Sequence, residues 1–127
     1  MTSDSSETRP KLRIYCVEDN PLIVFHIEHL IEEAGHVLVG FADSFSQLKA
    51  DPVVADIDGA LVDIDLADGR TGPDVAAWLK QQGIPSIFVT GQQDVADIYA
   101  DRVVAVVIKP IVADDFADKI RLLRSLT

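Results

Sequence analysis

This sequence has little cysteine, little positive charge and no long apolar run. Its 127 residues include one cysteine, Cys16, which excludes an internal disulfide. A lone thiol suits a reducing cytoplasm, where disulfides are rare. Because Cys16 lies inside an apolar segment, we predict that its side chain packs in the core.

The shortage of positive charge excludes whole classes of partner. The chain carries 11 lysine and arginine residues against 21 aspartate and glutamate residues, a net charge of −10. That balance argues against nucleic acid or an anionic membrane as the direct target, since both carry negative charge. The expected partner is therefore another protein.

No apolar run approaches the roughly 20 residues of a membrane-spanning helix. The first residues also lack the basic and apolar regions of a signal peptide. We therefore expect a soluble, unexported protein that resides in the cytoplasm and has no membrane partner. The three histidines, His26, His29 and His36, have no clustered cysteines or acids as metal-ligand partners, and we expect His26 and His29 to face solvent.

A chain of this length is expected to form one domain with a real core. The opening segment MTSDSSETRP is polar and has no apolar periodicity, so residues 1–10 are expected to be a disordered tail. Residues 11–127 are expected to be the folded domain. We see no internal repeat in the sequence and expect no linker to another domain.

From residue 12 onward, short apolar segments alternate with helical patterns. Five such strand and helix units imply a parallel sheet with helices on both sides, because right-handed crossovers leave few other arrangements. The predicted fold class is therefore α/β, a doubly wound five-stranded parallel sheet. The predicted strands are 12–17, 36–42, 59–63, 86–90 and 103–108, and the predicted helices are 21–34, a short helix capped by Ser44 and ending at 49, 73–82, 94–101, and a terminal helix with Phe116, Ile120 and Leu123 on its inner face.

Charged residues stand where three predicted strands end. Glu18 and Asp19 follow the first strand, Asp63 ends the third, and Lys109 follows the fifth. Because the carboxyl ends of parallel strands converge on one crevice, where ligands bind, these side chains should meet. Two like charges about 4 Å apart repel by roughly 4 kcal/mol at an effective dielectric constant of about 20, so the acids should take up a proton or recruit a divalent cation. Hard oxygen ligands favour Mg²⁺.

Each of these residues also has a plain structural interpretation. Asp19 and Asn20 both suit the cap of the next helix. The pair Thr90 and Gly91 after the fourth strand suits a turn, and Lys109 suits a solvated strand end. A cation and phosphate site is favoured because the acids and Lys109 occur together.

Four segments carry a resemblance to a known family. They are YCVEDNP with the acidic pair, ALVDIDL with Asp63, FVTG with Thr90 and VIKP with Lys109. In this order, each at a predicted strand end, they form a specific pattern. The chain from residue 11 onward resembles the receiver domain of two-component response regulators, which implies the flavodoxin-like (βα)5 receiver fold. The resemblance covers nearly the whole chain.

The resemblance implies a role for each acid. Asp63 would be the phosphoacceptor, phosphorylated by a sensor histidine kinase or a histidine phosphotransfer protein. Asp19, Asp63 and the backbone carbonyl of Asp65 would bind Mg²⁺, with Glu18 acting directly or through water. No cofactor other than Mg²⁺ is implied.

The resemblance also assigns Thr90 and Lys109 to the phosphoryl oxygens, and in this family the peptide bond between lysine and proline is typically cis. Three departures stand out. Val106 lies where many receivers carry a switching Tyr or Phe, so that switch cannot operate as usual. The loop after Asp63 has Ala67 where proline is common and one more residue than usual before its glycine. FVTGQ is similar to a group of stand-alone receivers whose fourth strand ends in Phe-Ala-Thr-Gly.

In this family the mobile surface is formed by the fourth helix, the fifth strand and the fifth helix. Here that surface would include Tyr99, Val106, Ile111 and the neighbours of Phe116. An apolar surface of this kind suits protein contact.

The leading interpretation is a single-domain response regulator that signals through protein contacts or acts as a phosphate sink. It would catalyse only its own phosphorylation and dephosphorylation, so it would not be an enzyme in the ordinary sense. It would be a monomer or a phosphorylation-dependent dimer, with an unknown downstream protein as partner. The alternative is a phosphohydrolase, because Asp63 and Asp65 resemble the Asp-x-Asp motif of haloacid-dehalogenase-like phosphatases. Those enzymes carry the motif after their first strand, whereas two strand and helix units come before it here.

Overall fold

The structure is a computed structural model that describes residues 11–124. The tail predicted at residues 1–10 lies outside the described residues, as does the segment 125–127. Within the described part of the chain, no helix combines the length and the apolar character needed to cross a membrane.

Five parallel strands form one sheet in the order β2-β1-β3-β4-β5. Helices cover both faces, so the predicted doubly wound α/β fold is confirmed. The strands are β1 Arg13–Val17, β2 Val37–Ala42, β3 Gly59–Val62, β4 Ser86–Thr90 and β5 Ala105–Ile108. The helices are α1 Pro21–Glu33, α2 Phe45–Lys49, α3 Gly72–Gln81, α4 Gln93–Ile98 and α5 Ala113–Ile120, with short 3₁₀ turns at Pro52–Asp56, Ala100–Arg102 and Arg121–Leu123.

The sheet has a separate apolar core on each face, because successive side chains of a strand point to opposite faces. On one face, Tyr15 and Phe88 pack with the buried side chains of α2, α3 and α4. On the other face, Ile14 and Cys16 pack with the buried side chains of α1 and α5. Cys16 is 1 % exposed, which confirms its predicted place in the core.

The residues that start and stop α1 act as the sequence predicts. The side chain of Asn20 accepts a hydrogen bond from the Leu22 N–H at 3.0 Å, and Pro21 opens the helix. After the helix, Gly35 adopts a φ of 88°, a left-handed conformation that glycine reaches without steric cost. Because Asn20 caps α1, the carboxylate of Asp19 is not engaged in that task.

Two predicted boundaries are wrong by more than one residue. Helix α4 ends at Ile98 rather than at 101, and a 3₁₀ turn follows it. Strand β5 begins at Ala105 rather than at 103. The physical reason is that Val103 donates its backbone N–H to the carbonyl of Ala100 in that turn, at 3.3 Å, instead of pairing with β4. An apolar pattern shows which residues are buried but not where their backbone hydrogen bonds go.

Among the side chains outside the site, two histidines lie as expected. His26 and His29 are exposed on α1. Trp78 is half-buried at the edge of α3, where its ring packs edge-to-face with Phe45 at a centroid distance of 6.1 Å. His36 is half-buried, and its Nδ1 accepts a hydrogen bond from the Leu12 N–H at 3.0 Å.

Candidate functional site

The carboxyl ends of β1, β3 and β5 bring three charged side chains together. Glu18 directly follows β1, Asp63 follows β3 and Lys109 follows β5. Backbone hydrogen bonds continue past the strands and hold these positions. The Asp63 N–H donates to the carbonyl of Val17 at 2.9 Å, and the Lys109 N–H donates to the carbonyl of Thr90 at 2.9 Å. The convergence predicted from the strand ends is therefore present.

The ammonium group of Lys109 bridges two carboxylates. Its Nζ lies 2.8 Å from Glu18 Oε1 and 3.0 Å from Asp63 Oδ2. The other oxygen of Asp63, Oδ1, accepts a hydrogen bond from the Ile64 N–H at 2.7 Å. Glu18 Oε2 accepts a hydrogen bond from the Asn20 N–H at 3.1 Å. Each carboxylate is thus held through both of its oxygens, which fixes its orientation.

Burial and pairing together set the charge of these groups. Burial raises the pKa of Glu18 above its ordinary value, and the hydrogen bond from Lys109 opposes that change without cancelling it. For Lys109, burial acts to lower the pKa, but the bonds with Glu18 and Asp63 outweigh burial and raise it. Two carboxylates beside one amine favour its charged form. The site therefore keeps a fixed positive charge next to Asp63.

Asp19 joins Glu18 and Asp63 in a cluster of three carboxylates. One oxygen from each residue lies within 4.8 Å of the other two. Glu18 is buried and Asp19 is exposed, so the cluster runs from the interior to the surface. A set of closely spaced carboxylate oxygens suits Mg²⁺, which is a hard cation that prefers oxygen ligands. The residues present therefore fit the magnesium ion that the sequence predicts.

The carboxylate of Asp65 has different partners. Its Oδ1 accepts a hydrogen bond from Arg70 Nε at 3.0 Å, and its Oδ2 accepts one from Gln92 Nε2 at 2.6 Å. Arg70 Nη2 donates to Gln92 Oε1 at 2.7 Å, which closes a ring of three side chains. The hydrogen bond from Arg70 is the main cause that holds the pKa of Asp65 below its ordinary value. The side chain of Asp65 is thus engaged outside the three-carboxylate cluster, and its backbone carbonyl stays the atom predicted to bind the ion.

Arg70 and Gln92 are not predicted from the sequence. Each lies in a polar loop, and nothing in their spacing indicates that the two loops meet. The available signal was the position of Gln92, two residues after Thr90 in a segment already assigned to the site.

Thr90 ends β4 and is fully buried. Its hydroxyl oxygen accepts a hydrogen bond from the Gln92 N–H at 3.1 Å, within the turn that follows the strand. The turn that the sequence predicts at Thr90 and Gly91 is therefore present. The role of the Thr90 hydroxyl in binding phosphoryl oxygens stays a prediction.

The loop after Asp63 accommodates its extra residue in a tight turn. Leu66 and Gly69 exchange backbone hydrogen bonds of 2.8 and 3.0 Å, and Gly69 adopts a φ of 109°. Further on, Gly72 packs directly against the backbone of the site. A Cβ at Gly72 would overlap the carbonyl oxygen of Asp63, so only glycine lets α3 begin this close to Asp63.

On the side of β5, the peptide bond between Lys109 and Pro110 is cis, as the resemblance implies. Val106 is half-buried, and its carbonyl accepts a hydrogen bond from Lys119 Nζ at 2.7 Å. On α4, Ile98 is 70 % exposed. The surface predicted to be mobile therefore combines half-buried and exposed aliphatic side chains.

Comparisons with known proteins agree with this geometry. Residues 14–121 match the family described as the response regulator receiver domain. The Phyllosphere-induced regulator PhyR of Methylorubrum extorquens is 38 % identical over 79 residues, a match that covers 61 % of this chain and 30 % of PhyR. The chain thus spans less than a third of this curated relative.

Two solved structures are similar in fold. The solution structure of the receiver domain of the Erythrobacter litoralis PhyR response regulator has a TM-score of 0.80 at 27 % identity, over 91 % of each chain. A crystal structure of a variant of the anti-anti-sigma factor PhyR from Bartonella quintana has a TM-score of 0.79 at 27 % identity. That match covers 91 % of this chain and 49 % of the other.

Proposed function

Since the chain belongs to the family of response regulator receiver domains, we propose that Asp63 accepts a phosphoryl group from a partner protein and that the product controls a protein contact. The observation that carries the proposal is the pairing of the Asp63 carboxylate with Lys109 at 3.0 Å, inside a cluster of three carboxylates. Glu18 shares both features, but its side chain is only 2 % exposed, against 12 % for Asp63. Asp63 is therefore the paired carboxylate that a phosphodonor can reach.

Phosphoryl transfer depends mainly on positioning and on neutralising charge at the phosphoryl oxygens. The Ile64 N–H and the Lys109 ammonium orient the two oxygens of Asp63, and the ammonium supplies positive charge beside the reacting group. An Asp63 oxygen forms a bond to phosphorus while the bond from phosphorus to the donor histidine nitrogen breaks. The electron pair of the broken bond stays on the imidazole. The product is an acyl phosphate, labile enough to serve as a reversible signal.

A bound Mg²⁺ would add positive charge that neutralises the negative charge of the phosphoryl group during its transfer. We propose that Asp19, Asp63 and the backbone carbonyl of Asp65 hold it. Glu18, whose side chain is only 2 % exposed, would act on the ion directly or through water.

The signal is proposed to leave the site through Thr90. Its hydroxyl and Lys109 bind phosphoryl oxygens, and a hydroxyl that moves toward the phosphoryl group stretches the hydrogen bond that it accepts from the Gln92 N–H or takes Gln92 with it. The loop after β4 and the following helix α4 repack in response. Because Val106 cannot swing as an aromatic ring does, the change is carried by the loop 91–94.

The phosphodonor is a sensor histidine kinase or a histidine phosphotransfer protein, and the target is a protein rather than nucleic acid, in keeping with the net charge of −10. The domain acts in the cytoplasm as a monomer or as a dimer formed on phosphorylation, and it turns over no separate substrate. One relative is an anti-anti-sigma factor by name, which supports output through protein contacts.

The alternative, a haloacid-dehalogenase-like phosphohydrolase that uses Asp63 and Asp65, has no support in the family match. A second catalytic acid would have to face the phosphoryl group. The carboxylate of Asp65 is instead bonded to Arg70 and Gln92.

Incubation with acetyl phosphate and Mg²⁺, followed by measurement of the intact mass, tests the proposal. The wild-type protein should gain a single phosphoryl group, and Asp63→Asn should gain none. Asp97→Asn removes an exposed carboxylate on α4 and is the matched control, which should behave as wild type. Phosphorylation that persists in Asp63→Asn would refute the assignment.

A further inference from the structure

Arg70, Asp65 and Gln92 join the loop after β3 to the loop after β4. We call this ring of three side chains the loop clasp. Its bonds are 3.0 Å from Arg70 to Asp65, 2.7 Å from Arg70 to Gln92 and 2.6 Å from Gln92 to Asp65. Asp65 stands two residues after Asp63, and Gln92 stands two residues after Thr90. The clasp therefore ties the loop of the proposed phosphoacceptor to the loop of the proposed phosphoryl ligand.

A second contact extends the clasp into the core of the domain. The backbone N–H of Gln92 donates to the hydroxyl oxygen of the fully buried Thr90 at 3.1 Å. The side chain of Gln92 is thus held by Arg70 and Asp65, while its backbone holds Thr90. A displacement of the Thr90 hydroxyl toward Asp63 would stretch its bond to the Gln92 N–H and so put strain on the bonds of the clasp.

We propose that Arg70 is a positioning residue that holds the Thr90 hydroxyl in its resting place through Gln92, and so opposes the phosphorylated conformation. Arg70 is suited to this task because its planar guanidinium bonds Asp65 and Gln92 at once. The inference rests on the proposed function of Asp63 and adds a restraint on the step that follows phosphorylation.

The clasp is exposed to solvent. The exposed fraction of the side chain is 56 % for Arg70 and 54 % for Asp65. Exposed pairs contribute little to stability, so this restraint is weak enough to open when the site is occupied. Its loss should shift the equilibrium between the two conformations by roughly two- to fivefold. That shift is too small to unfold the domain and large enough to measure.

The test compares Arg70→Gln with Arg121→Gln. Arg121, in the 3₁₀ turn after α5, is also an exposed cation and pairs with Asp118 at 2.8 Å, so the control changes the net charge equally outside the two loops of the clasp. Beryllium fluoride with Mg²⁺ serves as the probe, as a stable mimic of the phosphoryl group. The readouts are the amide resonances of residues 91–94 and the half-saturating concentration of the probe.

In Arg70→Gln we expect the resonances of the free protein to move toward their positions in the saturated wild type. The half-saturating concentration should fall roughly two- to fivefold, and it should stay unchanged in Arg121→Gln. Arg70→Lys keeps the positive charge but lacks the planar guanidinium that bonds Asp65 and Gln92 at once. It should therefore lower the half-saturating concentration by an intermediate amount. Gln92→Met removes the side-chain bonds, keeps the backbone N–H, and should reproduce the effect of Arg70→Gln.

Two results would overturn the inference while leaving the proposed function intact. One is that Arg70→Gln binds the probe at the wild-type concentration with unmoved resonances. The other is that Gln92→Met behaves as wild type although Arg70→Gln does not, because Arg70 would then act by another route. If the wild type itself fails to bind the probe, the proposed function is wrong and the inference falls with it.

Discussion

The ammonium of Lys109 lies 3.0 Å from the carboxylate of Asp63, although 46 positions separate the two residues in the sequence. Strand β4 lies between the strands that carry them. The long side chain of Lys109 must therefore reach across the end of β4, where Thr90 stands, to meet Asp63. This geometry makes the site sensitive to any change that moves the strand ends apart.

Magnesium should stabilise the folded domain. Glu18, Asp19 and Asp63 place carboxylate oxygens within 4.8 Å of one another, so a cation that binds only the folded state raises the melting temperature by mass action. The gain is about 2.7 kcal/mol when free Mg²⁺ is about 100 times its dissociation constant. Thermal unfolding across a wide range of Mg²⁺ concentrations checks this, and an unchanged melting temperature would count against the site.

Asp19→Asn should weaken the stabilisation by Mg²⁺, because it removes a carboxylate from the cluster. In the absence of the ion, the same change should raise stability by relieving like-charge repulsion. The same thermal titration measures both effects, with Asp97→Asn as the control for loss of an exposed negative charge. An Asp19→Asn protein that responds to Mg²⁺ as strongly as wild type would remove Asp19 from the proposed ligands.

Replacing Gly72 by alanine should destabilise the domain. The added Cβ would overlap the backbone of Asp63 and Ile64, and backbone cannot move aside as a flexible side chain can. Overpacking of this kind costs about 1–3 kcal/mol. Urea unfolding measures the change, and Gly91→Ala is the matched control because a Cβ there meets nothing within 4 Å. Equal stability of the two variants would contradict the close packing of α3 against the site.

The stability of the domain should depend on pH through His36. Burial, and then the charge of Arg124, hold the pKa of His36 below its ordinary value of 6.5. The unfolded chain therefore binds this proton more readily, so the contribution of His36 is fully present above pH 6.5 and is lost as pH falls through the lowered pKa. Protonation also removes the acceptor for the Leu12 N–H.

Urea unfolding of wild type and His36→Gln between about pH 5 and pH 8 isolates this contribution. The advantage of wild type over the variant should shrink as the pH decreases. A difference that stays constant over this range would show that His36 does not titrate with folding.

Much of the fold could be predicted because apolar runs indicate buried strands. The polar or charged residues that follow such a run indicate where the strand ends. β4 was predicted with the bounds that the structure gives. The start of β5 was predicted two residues too early, because the backbone N–H of Val103 donates its hydrogen bond to the preceding turn. The cluster around Asp63 could be predicted because parallel strand ends converge. The contacts of Arg70 could not be predicted, since they depend on the conformation of two loops and on the rotamer of a long side chain.

The segment 91–101 should be the least protected part of the described residues in hydrogen exchange. Helix α4 has six residues, no side-chain cap at Gln92 and one buried residue, Ala96. Few buried contacts and exposed hydrogen bonds permit local opening. Phosphorylation should change the protection of this segment most, because Thr90 is bonded to Gln92 at its start. A response confined to α1, with 91–101 unchanged, would exclude this route.

The most direct test of the central claim is to locate the phosphoryl group on the chain. Sodium borohydride reduces an acyl phosphate to an alcohol, which marks the acceptor residue for peptide mass spectrometry. After phosphorylation with acetyl phosphate and Mg²⁺, the mark should lie at Asp63. A mark at Glu18, Asp19 or Asp65 instead, in protein that has gained phosphate, would contradict the assignment.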